Sequence, residues 1–314
     1  MNDVKLSVCM ITYNHESFIS KAIEGVLMQK TDFPIDLIIG EDCSTDKTQG
    51  ICIEYKEKYP RIIKLRLPDK NMGVMPNFIE NLKTCTGKYI AICEGDDYWT
   101  DPYKLQKQVD FLEANKEFSL CFHNSLILDE NNNTTTEALQ RNGLRKNIFY
   151  TEDLITQWFI PTSGIVFVKD CLKLPAWFSN VQSGDIALIL LLSLKGPARY
   201  LDEVMSVYRL HPNGLSNTHI GYHKFLSMCY LYQTFNIHTN YKFNEKIIQE
   251  IKYEFERHAL GYETEKLAET ELKKLLAGTE SLSRRVSFRQ TLVLLLYKLK
   301  LDRIYKVMRR GLKG

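Results

Sequence analysis

The chain has 314 residues, 44% hydrophobic and 25% charged, with a formal net charge of +3, the profile of a soluble globular protein with one large domain or a large and a small one. No apolar run approaches the roughly 20 residues that a membrane-spanning helix needs. The eight cysteines have no CxxC or other zinc-like spacing, which excludes a zinc site or disulfide framework and points to a reducing cytosol.

The first hundred residues alternate two periodicities. Leu6 to Ile11 reads as a buried strand, and Phe18, Ile19, Ala22, Ile23, Val26 and Leu27 recur at helical spacing. Ile35 to Ile39 predicts a second strand, after which Ser44 caps a helix reaching about Tyr59. Ile62 to Leu65 is a third strand, Phe78 to Leu82 a helical piece and Lys88 to Cys93 a fourth strand. Asp101-Pro102 opens a helix carried by Leu105, Val109 and Leu112. Residues 130 to 147 read as a loop or strand tip, Gly164 to Val168 as a strand, Ile186 to Leu194 as an apolar helix ended by Gly196-Pro197, and Tyr200 to Tyr208 as a last strand. Beyond that the pattern is helical and charged.

Such alternation predicts an α/β fold with a mostly parallel sheet flanked by helices, over residues 1–218, followed by a helical region, 219–314. In such sheets the ligand crevice lies beyond the carboxyl ends of the strands. Three polar clusters follow predicted strands: Thr12-Tyr13-Asn14-His15, Glu41 to Asp46, and Glu94-Gly95-Asp96-Asp97. They are expected to converge on one edge. Adjacent carboxylates there suit a hard divalent cation shared with a nucleotide's phosphates, or else merely cap a turn. Asp42 is placed to accept the imide N–H of a uracil on which Tyr13 stacks, or to cap the next helix. No GxGxxG follows the first strand and no GxxxxGK[ST] occurs anywhere, which disfavours dinucleotide and P-loop modes of phosphate binding.

The segments SVCMITYNHESFISKAIEGVLMQ, IIGEDCSTDKT, NMGVMPNFIENLKTCTGKYIAICEGDDYW and SGDIALILLLSLKG, in this order and spacing, resemble family 2 glycosyltransferases of the GT-A fold, a family with many bacterial capsule and lipopolysaccharide sugar transferases. The resemblance covers roughly the first 215 residues. It implies an inverting, metal-dependent hexosyl- or N-acetylhexosaminyl-transferase that moves a sugar from a nucleotide-diphosphate donor, a UDP-sugar first, to a glycan or lipid-linked acceptor, with Mn2+ or Mg2+ as cofactor. Thr12, Tyr13 and Asn14 fall where the family meets the nucleotide, Asp42 where it reads uracil, and Asn71, Gly73 and Asn77 along the segment beside the nucleotide. In the DxD-type motif the resemblance gives Asp97 to the metal and Asp96 to ribose or sugar. Gly95 stands where many relatives are acidic, which leaves Glu94 a supporting place. Asp185 matches the catalytic base, though its position at a helix start also suits a cap. His211 matches a histidine that helps bind metal or diphosphate. From their own positions, Trp99, Thr162, Ser163 and Arg209 are expected at the sugar or acceptor pocket. Trp99 equally suits the core side of its loop, and Arg209 suits pairing with a phosphate or with a neighbouring carboxylate. His15, His123, His219 and His223 share no metal-ligand spacing and are read as structural.

Two other readings stay open. A nucleotidyltransferase of similar sheet architecture also uses paired aspartates, but it presents a Gly-rich basic loop after its first strand, unlike Ile11 to His15. A non-catalytic binder of nucleotide sugars would be expected to lack Asp97 or Asp185. The charge is uneven: residues 283–314 hold ten Lys or Arg and one acidic residue. With Leu292 to Leu296 and Ile304 to Met308 they form an amphipathic pattern suited to an anionic membrane surface, or to packing on the protein's own body or a homodimer partner. Nucleic acid is disfavoured because no stacking platform accompanies the charge. The expected location is cytoplasmic, with peripheral attachment at the inner face of the membrane.

Overall fold

The computed structural model describes residues 4–138, 146–156, 159–214 and 221–258, in two compact units, Met1–Gly214 and Leu215–Gly314. The first unit begins with β1 (Leu6–Thr12), α1 (Ile19–Leu27), β2 (Ile35–Glu41), α2 (Thr48–Lys58), β3 (Ile63–Arg66), α3 (Val74–Thr84) and β4 (Tyr89–Ile92). It continues through β5 (Tyr98–Trp99), α4 (Lys104–Ala114), β6 (Leu120–Asp129), β7 (Thr134–Glu137), β8 (Ile148–Phe149), α5 (Thr151–Thr156), β9 (Val166–Val168), α6 (Gly184–Ser193) and β10 (Ala198–Leu210).

One sheet holds all ten strands in the order β3-β2-β1-β4-β9-β6-β10-β5, with β7 added to β6 and β8 to β10. β3, β2, β1 and β4 are parallel neighbours, and β6 lies parallel to β10. Because β9 is antiparallel to both β4 and β6, β6 and β10 point the same way as β1 and β4. The carboxyl ends of β1, β2, β4 and β10, and the residues just before β9, therefore share one edge. Leu6, Val8 and Met10 of β1 and Leu37 and Ile39 of β2 join one buried core with the apolar stripes of α1 and α4. α3 is fastened by amides: Asn81 Nδ2 donates to Met10 O and Ile38 O at 3.0 and 2.9 Å, and Asn77 Nδ2 to Gly40 O at 2.7 Å.

In the second unit, α7 (Gly221–His238) and α8 (Asn244–His258) pack together, with Phe235 stacked on Phe243 at 6.1 Å. The expected basic tail, 283–314, lies outside the described residues. Among the described residues no helix is long and apolar enough to cross a membrane.

Two local expectations change. Ser44 does not cap α2: its hydroxyl accepts the Asn14 N–H at 2.9 Å, and Asp46 takes the Thr48 N–H instead. The central strand β6 carries buried His123, Asn124 and Ser125, and so it lacks the apolar run that marks the other strands.

Behind β5 lies an uncommon group. Lys104 is fully buried, donates to Gln108 Oε1 at 2.8 Å and sits 4.0 Å over the Trp99 ring. Burial pulls its pKa down to about 7 from 10.5, against the opposing pull of Cys93 and Cys121. Between pH 7 and 10.5 the unfolded chain thus keeps a proton that the folded chain has released, so this group makes stability rise with pH, by up to about 1.4 kcal/mol per pH unit. Lys104→Met is expected to flatten that slope and to raise stability at pH 7, read from urea midpoints at pH 7 and 9. A slope identical to wild type would show that Lys104 stays charged in the fold.

Candidate active site

The shared edge brings together the three polar clusters and the end of β10. After β1 the chain turns sharply, with Asn14 at φ 56. Asn14 Oδ1 accepts the Thr45 N–H at 2.8 Å, which ties the loop after β1 to the loop after β2. Tyr13, next to it, is 41% exposed.

Asp42 directly follows β2 and is almost out of solvent. Its two carboxylate oxygens accept the N–H groups of Met72 and Gly73, each at 2.8 Å, and Asn71 Nδ2 donates to its carbonyl at 3.0 Å. Asp42 thus builds the Asn71–Gly73 wall, where Gly73 supplies a φ of 86 open to glycine. Each oxygen keeps a further lone pair, so the carboxylate is still able to accept an imide N–H as expected from sequence. Asn77 is turned to structure: it is buried, bonded to Gly40 O, with Arg66 Nη1 3.4 Å from its Oδ1.

The turn after β4 separates the paired aspartates. Tyr98 and Trp99 pair antiparallel with Val207 and Ser206 of β10, which sends neighbouring side chains to opposite sides. Asp97 points inward, fully buried, with Oδ1 accepting the Arg209 backbone N–H at 3.0 Å. Burial and then the Asp96 charge push its carboxyl well above the usual range, against the opposing pull of Arg209. Asp96 faces the crevice, its Oδ2 3.2 Å from His211 Nε2 and 3.9 Å from His15 Nε2. Burial acts to raise this carboxyl, but the His211 hydrogen bond and the nearby His15 outweigh it and hold it below its usual range. The His15 ring is held below its usual pKa by burial first, with Asp96 opposing.

One ligand atom from each of His15, Asp96 and His211 lies within 4.8 Å of the other two. Their chemistry, two imidazoles and an ionised carboxylate, fits a divalent cation, and the buried His15 Nδ1 has no hydrogen-bond partner. Sequence reasoning set His15 aside for want of a ligand spacing; its position in the polar cluster after β1 was the signal. Asp97, expected as the metal ligand, is not in the gathered set.

Arg209 serves this turn from behind. Its Nη1 donates to Asp96 O at 2.8 Å, and its guanidinium stacks 4.6 Å from the Tyr98 ring and 5.0 Å from that of Phe18. It braces the turn that carries the aspartates. Trp99 is also turned inward, with Nε1 donating to Ser163 O at 2.9 Å. Thr162 and Ser163 form a buried turn before β9, where Ser163 Oγ lies 3.1 Å from Ser206 Oγ.

Across the edge, Gly184 at the start of α6 backs onto Met75 and Phe78 of α3. Asp185, half-buried in the first turn, comes close enough to act on Glu94. The Glu94 carboxyl is pushed well above its usual range by burial first, then by the charges of Asp96, Asp97 and Asp185.

A mixed α/β sheet that gathers an Asp–His pair and further carboxyl groups at its carboxyl edge places them where ligands of such sheets bind. The family model described as "Glycosyl transferase family 2" matches residues 7–169, and the chain belongs to that family. An uncharacterized protein of Mycobacterium tuberculosis is 36% identical over 212 residues, 67% of this chain and 60% of that one, so the alignment leaves well over a third of that relative uncovered. The dTDP-rhamnosyl transferase RfbG of Shigella flexneri is 33% identical over 123 residues, 38% of this chain and 41% of its own. Among solved structures, TarS 1-349 of S. aureus in complex with UDP-GlcNAc matches with TM-score 0.65 at 16% identity, covering 99% of this chain and 92% of that chain. The mannosyltransferase PcManGT of Pyrobaculum calidifontis in complex with GDP-Man and Mn2+ matches with TM-score 0.57 at 15% identity, covering 98% and 90%. At these identities the two structures establish the fold alone.

Proposed function

We propose that the protein is an inverting, metal-dependent glycosyltransferase that moves a sugar from a nucleotide-diphosphate donor, a UDP-sugar first, to a glycan or lipid-linked acceptor of a bacterial surface polysaccharide. The observation that carries this reading is the placement of Asp96 and His211 at 3.2 Å on the same crevice edge as Asp185. Family membership and the nucleotide-sugar complexes of the fold neighbours support it.

Exposed Tyr13 would stack on the base, and the Asn71–Gly73 wall held by Asp42 would meet the nucleoside. Asp96 and His211 would hold the cation, which when bound would offset the charge of the departing diphosphate. Asp185 would take the proton of the acceptor hydroxyl as that oxygen attacks the anomeric carbon from the opposite face. The metal role expected of Asp97 passes in this reading to Asp96, because only Asp96 faces His211.

The test is a donor screen that follows release of UDP or GDP, with Mn2+, Mg2+ or EDTA. Release from a UDP-sugar that EDTA abolishes is the expected result. Turnover undiminished by EDTA would remove the metal from the reading, and release of pyrophosphate from a nucleoside triphosphate would turn it into a nucleotidyltransferase.

A further inference from the structure

Gly95 makes room for His15. A Cβ at position 95 would stand 2.6 Å from Thr12 Oγ1, 2.7 Å from Thr12 Cβ and 3.0 Å from His15 Nδ1. Any side chain there would displace the ring or the threonine.

His15 is fixed from several sides. Its N–H donates to Thr48 Oγ1 at 2.8 Å, and its carbonyl accepts the N–H groups of Phe18 and Ile19, each at 2.9 Å. Its ring meets Phe18 and His211 edge-on, with centroids 6.2 and 6.1 Å away, and Phe18 lies 4.7 Å from His211. Two imidazoles on distant segments are therefore held against one carboxylate by a shared aromatic neighbour. Ligands bound about 2.0–2.2 Å from one cation stand roughly 3–3.5 Å apart. The Asp96–His211 pair is already at that spacing, and His15 Nε2, at 3.9 Å, reaches it by a small side-chain movement.

We infer that His15 is a third protein ligand of the divalent cation, so that the cation binds before any nucleotide and is a transition metal in preference to Mg2+. The inference rests on the metal-dependent reading above and deepens it. Two nitrogens and one oxygen favour first-row transition ions, whereas Mg2+ prefers oxygen donors and keeps its waters. A site with one carboxylate and a nucleotide's phosphates would instead stay empty until the donor arrived.

The experiment titrates the nucleotide-free full chain with Mn2+, following the free-ion EPR signal, and then challenges the complex with Mg2+. A parallel Co2+ titration reads nitrogen ligation from the visible spectrum. The expected result is saturable Mn2+ binding that survives a large excess of Mg2+. His15→Gln is expected to weaken it at least about tenfold and to shift the Co2+ spectrum. Gly95→Ala should follow His15→Gln while leaving all three candidate ligands in the sequence, which guards against a single variant that fails to fold. Wild-type Mn2+ affinity in His15→Gln, or Mn2+ released by equimolar Mg2+, would overturn the inference. If His15→Gln keeps Mn2+ but loses UDP affinity, His15 is a phosphate contact and the inference is equally overturned. EDTA-insensitive turnover by the wild type would instead defeat the underlying reading, so the two failures are distinguishable.

Discussion

Asp96→Ala is expected to lower metal-dependent turnover by about a thousandfold or more and to abolish the discrimination between Mn2+ and EDTA, while Asp97→Asn keeps the cation. The difference follows from direction. Asp96 faces His211 and His15, and losing it removes the sole carboxylate of the gathered set, an effect worth several kcal/mol on a reaction that departs with a diphosphate. Asp97 is buried and its Oδ1 accepts the Arg209 N–H. Asparagine keeps an acceptor at that atom and carries no charge to bury, so Asp97→Asn should bind Mn2+ as wild type does. Asp97→Leu, by contrast, leaves the Arg209 N–H unmet and should cost about 1–3 kcal/mol of folding stability. Mn2+ titration and urea unfolding of the three variants decide the matter. If Asp97→Asn loses Mn2+ and Asp96→Ala does not, the assignment of the pair is reversed.

The paired aspartates also mark what the sequence could and could not say. That Asp96 and Asp97 stand at the crevice end of a strand was legible, because the apolar run Tyr89 to Ile92 and the strand–helix alternation place them there. Which aspartate faces outward was not. It is decided by β10, whose Arg209 N–H meets Asp97 Oδ1, more than a hundred residues downstream, and no local pattern carries that contact. Trp99 is likewise turned inward by the bond of its indole to the Ser163 carbonyl.

The parts that were read correctly have strong local signals: β1, β2, β4, α1 and the apolar α6 each bury a continuous run or a periodic stripe. β6 escaped because its buried middle is polar. Ser125 Oγ lies 2.5 Å from Ser206 Oγ, and His123 Nδ1 lies 2.7 Å from Asn124 O. Hydrogen bonds that satisfy such groups exist only once the sheet has formed. His15 and Asp42 show the same limit at the site. His15 meets Asp96 and His211, and Asp42 binds the N–H groups of Met72 and Gly73, through contacts between loops distant in sequence.

Asp185→Asn is expected to leave donor and Mn2+ binding near wild type and to reduce sugar transfer by about 10²- to 10⁴-fold, the span of a lost general base. The variant removes proton acceptance and little else, since asparagine has nearly the shape of aspartate and suits the first turn of α6. Glu94 supplies the control. Burial and the charges of Asp96, Asp97 and Asp185 hold its carboxyl well above its usual range. Glu94→Gln keeps the side chain's size and removes its proton exchange, and it should retain most transfer activity if Asp185 is the base. The discriminating measurement is transfer to acceptor under saturating donor, beside donor affinity for each variant. Unchanged transfer in Asp185→Asn with strong loss in Glu94→Gln would move the base to Glu94. Loss of donor affinity in Asp185→Asn would make Asp185 a binding group, because a residue that acts only on the acceptor proton leaves the donor's grip untouched.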